Sequence, residues 1–119
     1  MMSYLLDVLL TVELSEWHEG LTVQNKAVKF QLDTGAKCNI LPNKVIEDLA
    51  IQCDFEKTQI RLKSYSGHQI PTRGVITLPC EHKRNMHYVQ FQVVEVEAPA
   101  VLSAQTCKEM GLLVRIHQL

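Results

Sequence analysis

Hydrophobic and polar positions alternate along most of this chain, with the period of strands rather than helices. In residues 8–14, Val8, Leu10, Val12 and Leu14 alternate with Leu9, Thr11 and Glu13, the spacing of a half-buried strand. Residues 21–24 and 28–32 flank Asn25-Lys26-Ala27. In the second arm Val28, Phe30 and Leu32 face one way while Lys29 and Gln31 face the other, which predicts a hairpin with Asp33 at its exit. Ile60 and Leu62 alternate with Gln59, Arg61 and Lys63, and Ser64-Tyr65-Ser66-Gly67-His68 has the small and glycine residues of a tight turn. From Gln69 onward the chain can return as the partner strand. Residues 75–78 and 89–96 supply two further strands, joined through Glu81-His82-Lys83-Arg84-Asn85. The pattern therefore predicts an all-β chain.

Two brief segments carry helical spacing instead. Pro42 suits a first helical turn, and Val45, Ile46 and Leu49 then fall on one side of a helix over residues 43–49. Ser103 is a good N-cap, Ala104, Cys107 and Met110 recur at helical spacing, and Gly111 sits where a glycine ends the last turn. A last strand over residues 112–116 is expected after it.

Composition adds bounds rather than a ligand. The chain has 119 residues, 46% hydrophobic and 21% charged, which fits one ordinary domain over residues 1–119. A chain of this size has a real core but little material for a deep cleft of its own, so a large site calls for a partner subunit. Lys plus Arg is 12 and Asp plus Glu is 13, so nothing global attracts nucleic acid or an anionic membrane. The first ten residues lack Lys and Arg and are interrupted by Asp7, which supports neither a signal peptide nor a membrane span. A soluble, intracellular, cytoplasmic protein is expected. Cys38, Cys53, Cys80 and Cys107 are widely spaced without a CxxC, and reduced thiols fit an intracellular chain.

The strongest chemical signal is Phe30-Gln31-Leu32-Asp33-Thr34-Gly35-Ala36, a carboxylate on a small-residue turn directly after a buried strand. Backbone N–H groups can hold such an aspartate, because Gly35 has no side chain and Ala36 adds little bulk. Asp-Thr-Gly alone is also what a plain β-turn contains. Its surroundings decide between the two. Residues 28–42, the Gly67-containing turn some thirty residues later, and Ala100-Val101-Leu102-Ser103 before the second helix follow one another along the chain. In that order, over residues 21–116, the chain resembles the retropepsin family, the aspartic proteases of retroviruses and of gypsy-type LTR retrotransposons.

The resemblance implies a closed β-barrel of the acid-protease type with one or two short helices, forming a single-lobe protomer of a twofold dimer. It implies an aspartic endopeptidase that cleaves polyprotein segments in a Gag-Pol-like context, within a retroelement particle or in a host protein derived from one. Asp33, Thr34 and Gly35 would be the catalytic residues, with Thr34 bridging the two loops. Ala36 would line the floor, and Tyr65, Ser66, Gly67 and His68 would be the flap that closes over an extended peptide. This route needs two close carboxyl groups, one ionised to activate water and one protonated. A chain with one such motif supplies the pair by twofold symmetry. No metal or other cofactor is called for.

One position departs from the pattern. Ser103 stands where retropepsins commonly have glycine; serine is the better cap, but its side chain enters a place where the family packs backbone close to the catalytic loop. The alternative reading is accordingly a catalytically inactive retropepsin-fold module for dimerisation or peptide binding. Other constellations have blander accounts. Cys80, His82 and His87 are better explained by a solvated turn than by zinc, since structural zinc usually has four ligands at tighter spacings. Lys83-Arg84 marks an exposed loop rather than a nucleic-acid site. Cys38, with no His close in sequence, reads as core material and not as a nucleophile.

Overall fold

The apolar stripe of residues 28–32 lies on one strand of a closed six-stranded barrel, whose strands run around it in the order 18–23, 26–33, 101–103, 39–42, 85–94 and 72–82. It comes from a computed structural model that describes residues 17–33, 35–52, 54–58, 61–63 and 67–112. The strands are β1 His18–Val23, β2 Lys26–Asp33, β3 Asn39–Pro42, β4 Thr72–His82, β5 Asn85–Val94 and β6 Val101–Ser103, with helices α1 Asn43–Asp48 and α2 Ala104–Glu109. The strands expected over 8–14 and 112–116 lie outside the described residues, except for Leu112, which follows α2 without strand structure.

Both long hairpins turn on two residues rather than on the broader polar stretches expected. Val23 pairs with Lys26 across Gln24-Asn25, and His82 with Asn85 across Lys83-Arg84. All four turn residues have positive φ, between 49° and 71°, which is the type I′ geometry that matches strand twist. Lys26, Ala27, Glu81, His82 and Asn85 are thereby strand residues, because the backbone ladder continues where the hydrophobic alternation has already stopped.

The alternation divides the barrel into two apolar clusters. Phe30 and Leu32 of β2 join Leu41, Phe91, Val93 and Leu102 in the main cluster, where the Phe30 and Phe91 rings stack at 5.7 Å. The opposite faces supply a second cluster of Ala36, Ile40, Leu62, Ile70, Val94 and Val101. Since strand neighbours in register share a face, Asp33 and Ser103 lie on the second cluster's side of the β2–β6 pair.

The second helix ends as its sequence directs. In α2, Gly111 has φ +75°, and the Gly111 and Leu112 N–H groups return to the Lys108 and Cys107 carbonyls, a Schellman cap. The end of α1 repeats this with Ala50 at φ +54°, its N–H and that of Ile51 returning to Glu47 and Ile46. Pro42 is the N-cap of α1 and the last residue of β3, one step earlier than its preference for a first helical turn suggested. Gly74 opens a bulge in β4 with φ +134°, where a Cβ would run into the Glu56 carbonyl oxygen. Glu56 and Val75 exchange two backbone hydrogen bonds there. No helix among the described residues is long and apolar enough to cross a membrane.

Candidate active site

The period of β2 delivers Asp33 to the strand's last position with its side chain away from the main cluster. The residue is only 4% exposed, so its carboxylate requires local donors. The Gly35 N–H donates to Asp33 Oδ1 at 2.9 Å, and the Ala36 N–H donates to the Asp33 carbonyl at 3.0 Å. A Cβ on Gly35 would stand 3.3 Å from Asp33 Oδ1. The glycine therefore serves close approach to the carboxylate, as the motif suggested. Ala36 is buried in the second cluster, beneath the same loop. Thr34 lies outside the described residues.

Two elements brace this loop from the far side. Ser103 is in register with Asp33 across β2 and β6. Its φ of −72° and ψ of 168° are ordinary extended values, and its hydroxyl accepts from the Thr106 N–H at 3.3 Å as the N-cap of α2. This position therefore does not need the conformational freedom of glycine, and the serine side chain is occupied by the helix. The Ser103 N–H is held by Asn39, whose Oδ1 accepts it at 2.8 Å while its Nδ2 donates to the Gln90 carbonyl at 2.9 Å. Asn39 is not among the site residues expected from the sequence. The available signal was a lone carboxamide opening the apolar run Ile40-Leu41-Pro42, a place where a polar side chain is buried only if its hydrogen bonds are met.

The field of Asp33 reaches α2. Burial, and secondarily the nearby Asp33 carboxylate, pushes the Cys107 thiol up to about 11. Cys107 is thus a protonated, inert neighbour whose Sγ faces the Leu102 carbonyl at 3.8 Å. Cys38 packs against the second cluster half-buried, in keeping with the core role expected for it.

The hairpin expected around residues 62–70 has its base in place. Lys63 bridges Gln69, and the Ile70 N–H donates to the Leu62 carbonyl at 2.8 Å. Leu62 and Ile70 are buried in the same cluster as Ala36 and Ile40, so the base of the hairpin and the floor of the loop share one packing unit. Gly67, at φ +92°, and His68 are exposed. Tyr65 and Ser66 lie outside the described residues.

The remaining candidates are accounted for elsewhere. Cys80 lies in the main cluster, with its thiol pushed by burial up to about 12. His82 Nε2 meets the Glu19 carboxylate at 2.9 Å across β1 and β4. Among the described residues no group of three or more His, Cys, Asp or Glu has the arrangement of a metal site. A groove of about 680 Å3 beside α1, lined by Pro42, Val45, Asp48 and residues 95–98, contains none of the candidate residues.

Comparison with known proteins agrees with this geometry. The sequence profile of a family described as aspartyl protease matches residues 20–114. No curated protein sequence matches the chain. Among solved structures, EIAV protease in complex with the inhibitor HBY-793 is similar with a TM-score of 0.66 at 14% identity, over 80% of this chain and 88% of that one. The retroviral protease-like domain of Ddi1 from Leishmania major is similar with a TM-score of 0.61 at 18% identity, over 77% and 72% of the two chains. A retropepsin-like aspartic protease from Rickettsia conorii is similar with a TM-score of 0.56 at 18% identity, over 79% and 72%. With the profile spanning most of its length and the barrel common to these proteases, the chain belongs to the aspartyl protease family and has a retropepsin-like fold.

Proposed function

We propose that residues 1–119 are one protomer domain of a homodimeric aspartic endopeptidase, in which Asp33 of each protomer supplies half of a catalytic dyad. The observation that carries this reading is the buried Asp33 carboxylate, held by the Gly35 N–H at the end of a barrel strand in an aspartyl protease chain. Two such carboxyl groups brought together cannot both ionise easily, so they share a proton and titrate as a pair. The ionised member takes a proton from water as its oxygen attacks the scissile carbonyl carbon. The protonated member donates to the carbonyl oxygen. Collapse of the tetrahedral intermediate breaks the C–N bond and returns a proton to the departing amine. Thr34 braces the paired loops and Ala36 lines the floor. Tyr65, Ser66, Gly67 and His68 close over an extended peptide by main-chain pairing. The paired ends of the hairpin, at Lys63 and Gln69, support this flap reading. Polyprotein segments, in a Gag-Pol-like setting of a gypsy-type element, are the proposed substrates.

The seating of Ser103 as the α2 cap supports the catalytic reading over the inactive module, since its side chain turns to Thr106. The test is mass-spectrometric detection of cleavage in a diverse peptide mixture across about pH 4 to 7, at high protein concentration, for wild type and Asp33→Asn side by side. Cleavage on the acidic side of neutrality that is lost in the Asn variant is expected. A folded dimer with no Asp33-dependent cleavage at any pH overturns the reading in favour of the module.

A further inference from the structure

The loop that joins β2 to β3 begins after Asp33 and ends at Asn39, and both of its ends meet one residue. Asp33 is in register with Ser103 across the parallel β2–β6 pair, and the Ser103 N–H donates to Asn39 Oδ1 at 2.8 Å. We propose that Asn39 is a positioning residue for Asp33: by clamping Ser103 to the start of β3, its carboxamide fixes the height of β6 against β2 and thereby the place of the Asp33 carboxylate. The proposal rests on the catalytic reading of Asp33 given above.

Three observations carry it. β3 and β6 have a single pair in register, Ile40 with Val101. The side-chain bond therefore adds a second tie where the backbone ladder gives out. The orientation of the carboxamide is fixed at both ends, because Nδ2 donates to the Gln90 carbonyl on β5 at 2.9 Å while Oδ1 accepts from β6. One neutral group thus joins three strands without placing a second negative charge in the neighbourhood of Asp33; an aspartate there would accept from Ser103 but lose the donor and repel the Gln90 carbonyl. Finally, Asn39 and Ser103 are 8% and 3% exposed. Water is poorly placed to substitute for the bond, and its loss leaves the Ser103 N–H to be satisfied by movement. A movement of about an ångström at a catalytic group is enough to cost roughly 100-fold in rate.

The experiment compares Asn39→Ala and Asn39→Ser with wild type and with Leu21→Ala. That last variant truncates the main cluster on β1 opposite Val28 and lies outside the loop. The readouts are kcat and KM separately on a cleaved peptide, the NMR titration curve of the Asp33 carboxyls with its apparent midpoint, and hydrogen exchange of the Ser103 amide. The expected result is a fall in kcat of about 10- to 100-fold with KM held within about threefold. It includes a displaced Asp33 midpoint and faster Ser103 exchange in the Asn39 variants. Leu21→Ala, although destabilised, keeps the wild-type midpoint and the wild-type kcat per folded molecule. Should Asn39→Ala fail to fold, the smaller but polar Asn39→Ser carries the comparison. A folded Asn39 variant with the wild-type kcat and Asp33 midpoint overturns the proposal. Wild-type protein without Asp33-dependent turnover overturns the proposed function instead, and the Asp33 midpoint then decides the positioning role alone.

Discussion

Replacing Ser103 by glycine should weaken this protein and leave the proposed peptide cleavage unimproved. The reasoning starts from the backbone: at φ −72° and ψ 168° glycine gains nothing from its freedom, while its unfolded chain has more conformations to lose, a cost of about 0.4–1 kcal/mol. The hydroxyl is also lost as a cap. Ser-to-Gly at an exposed cap costs only a few tenths of a kcal/mol because water replaces the oxygen. Here Ser103 is 3% and Thr106 7% exposed, so replacement by water is poor. The bond itself is long, at 3.3 Å, which holds the loss at the low end. The sum for Ser103→Gly is about 1 kcal/mol. Ser103→Ala removes the cap and places a methyl group against the unpaired Thr106 N–H, for about 1–2 kcal/mol. The assay is equilibrium urea unfolding at one fixed protein concentration, since any dimerisation contributes to apparent stability. Peptide cleavage by the same samples is measured alongside. A Ser103→Gly protein that is more stable than wild type, or whose kcat rises tenfold, would refute the argument. Either result would mean that the serine strains the Asp33 loop rather than capping the helix.

Other outcomes follow from the same structure. Ala50→Gly should stabilise the fold by up to about 1 kcal/mol in urea unfolding, because Ala50 closes α1 at φ +54°, where a Cβ is penalised; a clear loss of stability would contradict this. Gly74→Ala should cost upwards of about 2 kcal/mol, since φ is +134° and the new methyl group collides with the Glu56 carbonyl; a normal urea midpoint would show that residues 55–56 do not cross the bulge. Stability should fall in alkali for a definable reason. Cys80 and Cys107 are raised by burial from 9.0 to about 12 and about 11, so above pH 9 the unfolded chain releases protons that the native protein keeps. Their contribution is complete below pH 9 and is lost as pH rises toward those values, at up to about 1.4 kcal/mol per pH unit for each thiol. A Cys80→Val/Cys107→Ala protein should therefore show a flatter urea-midpoint profile between pH 9 and 11, and an unchanged slope would exclude this origin.

β3 and β6 are too short to show a period and carried no strand expectation, whereas local patterning was enough to show which face of β2 is apolar, where α2 starts and stops, and which carboxylate sits on a glycine turn. These are local properties: the period of Val28, Phe30 and Leu32, the capping chemistry of Ser103 and Gly111, and the small residues after Asp33 act within a few positions of themselves. Strand lengths were less legible, since Lys26 and His82 belong to ladders whose backbone bonds do not depend on side-chain polarity. The hidden role of Gly74 had the same cause, because it answers to residues 55–56, which approach it only in the folded chain. That β6 lies between β2 and β3 and puts Ser103 beside Asp33 follows from the closed barrel and from nothing local. The folded chain alone gave Asn39 both of its partners and turned the Ser103 hydroxyl into the helix. Nothing near Asn39 in the chain announces Ser103 or Gln90. A buried carboxamide is defined by the groups that close around it, and those groups come together only when the barrel does.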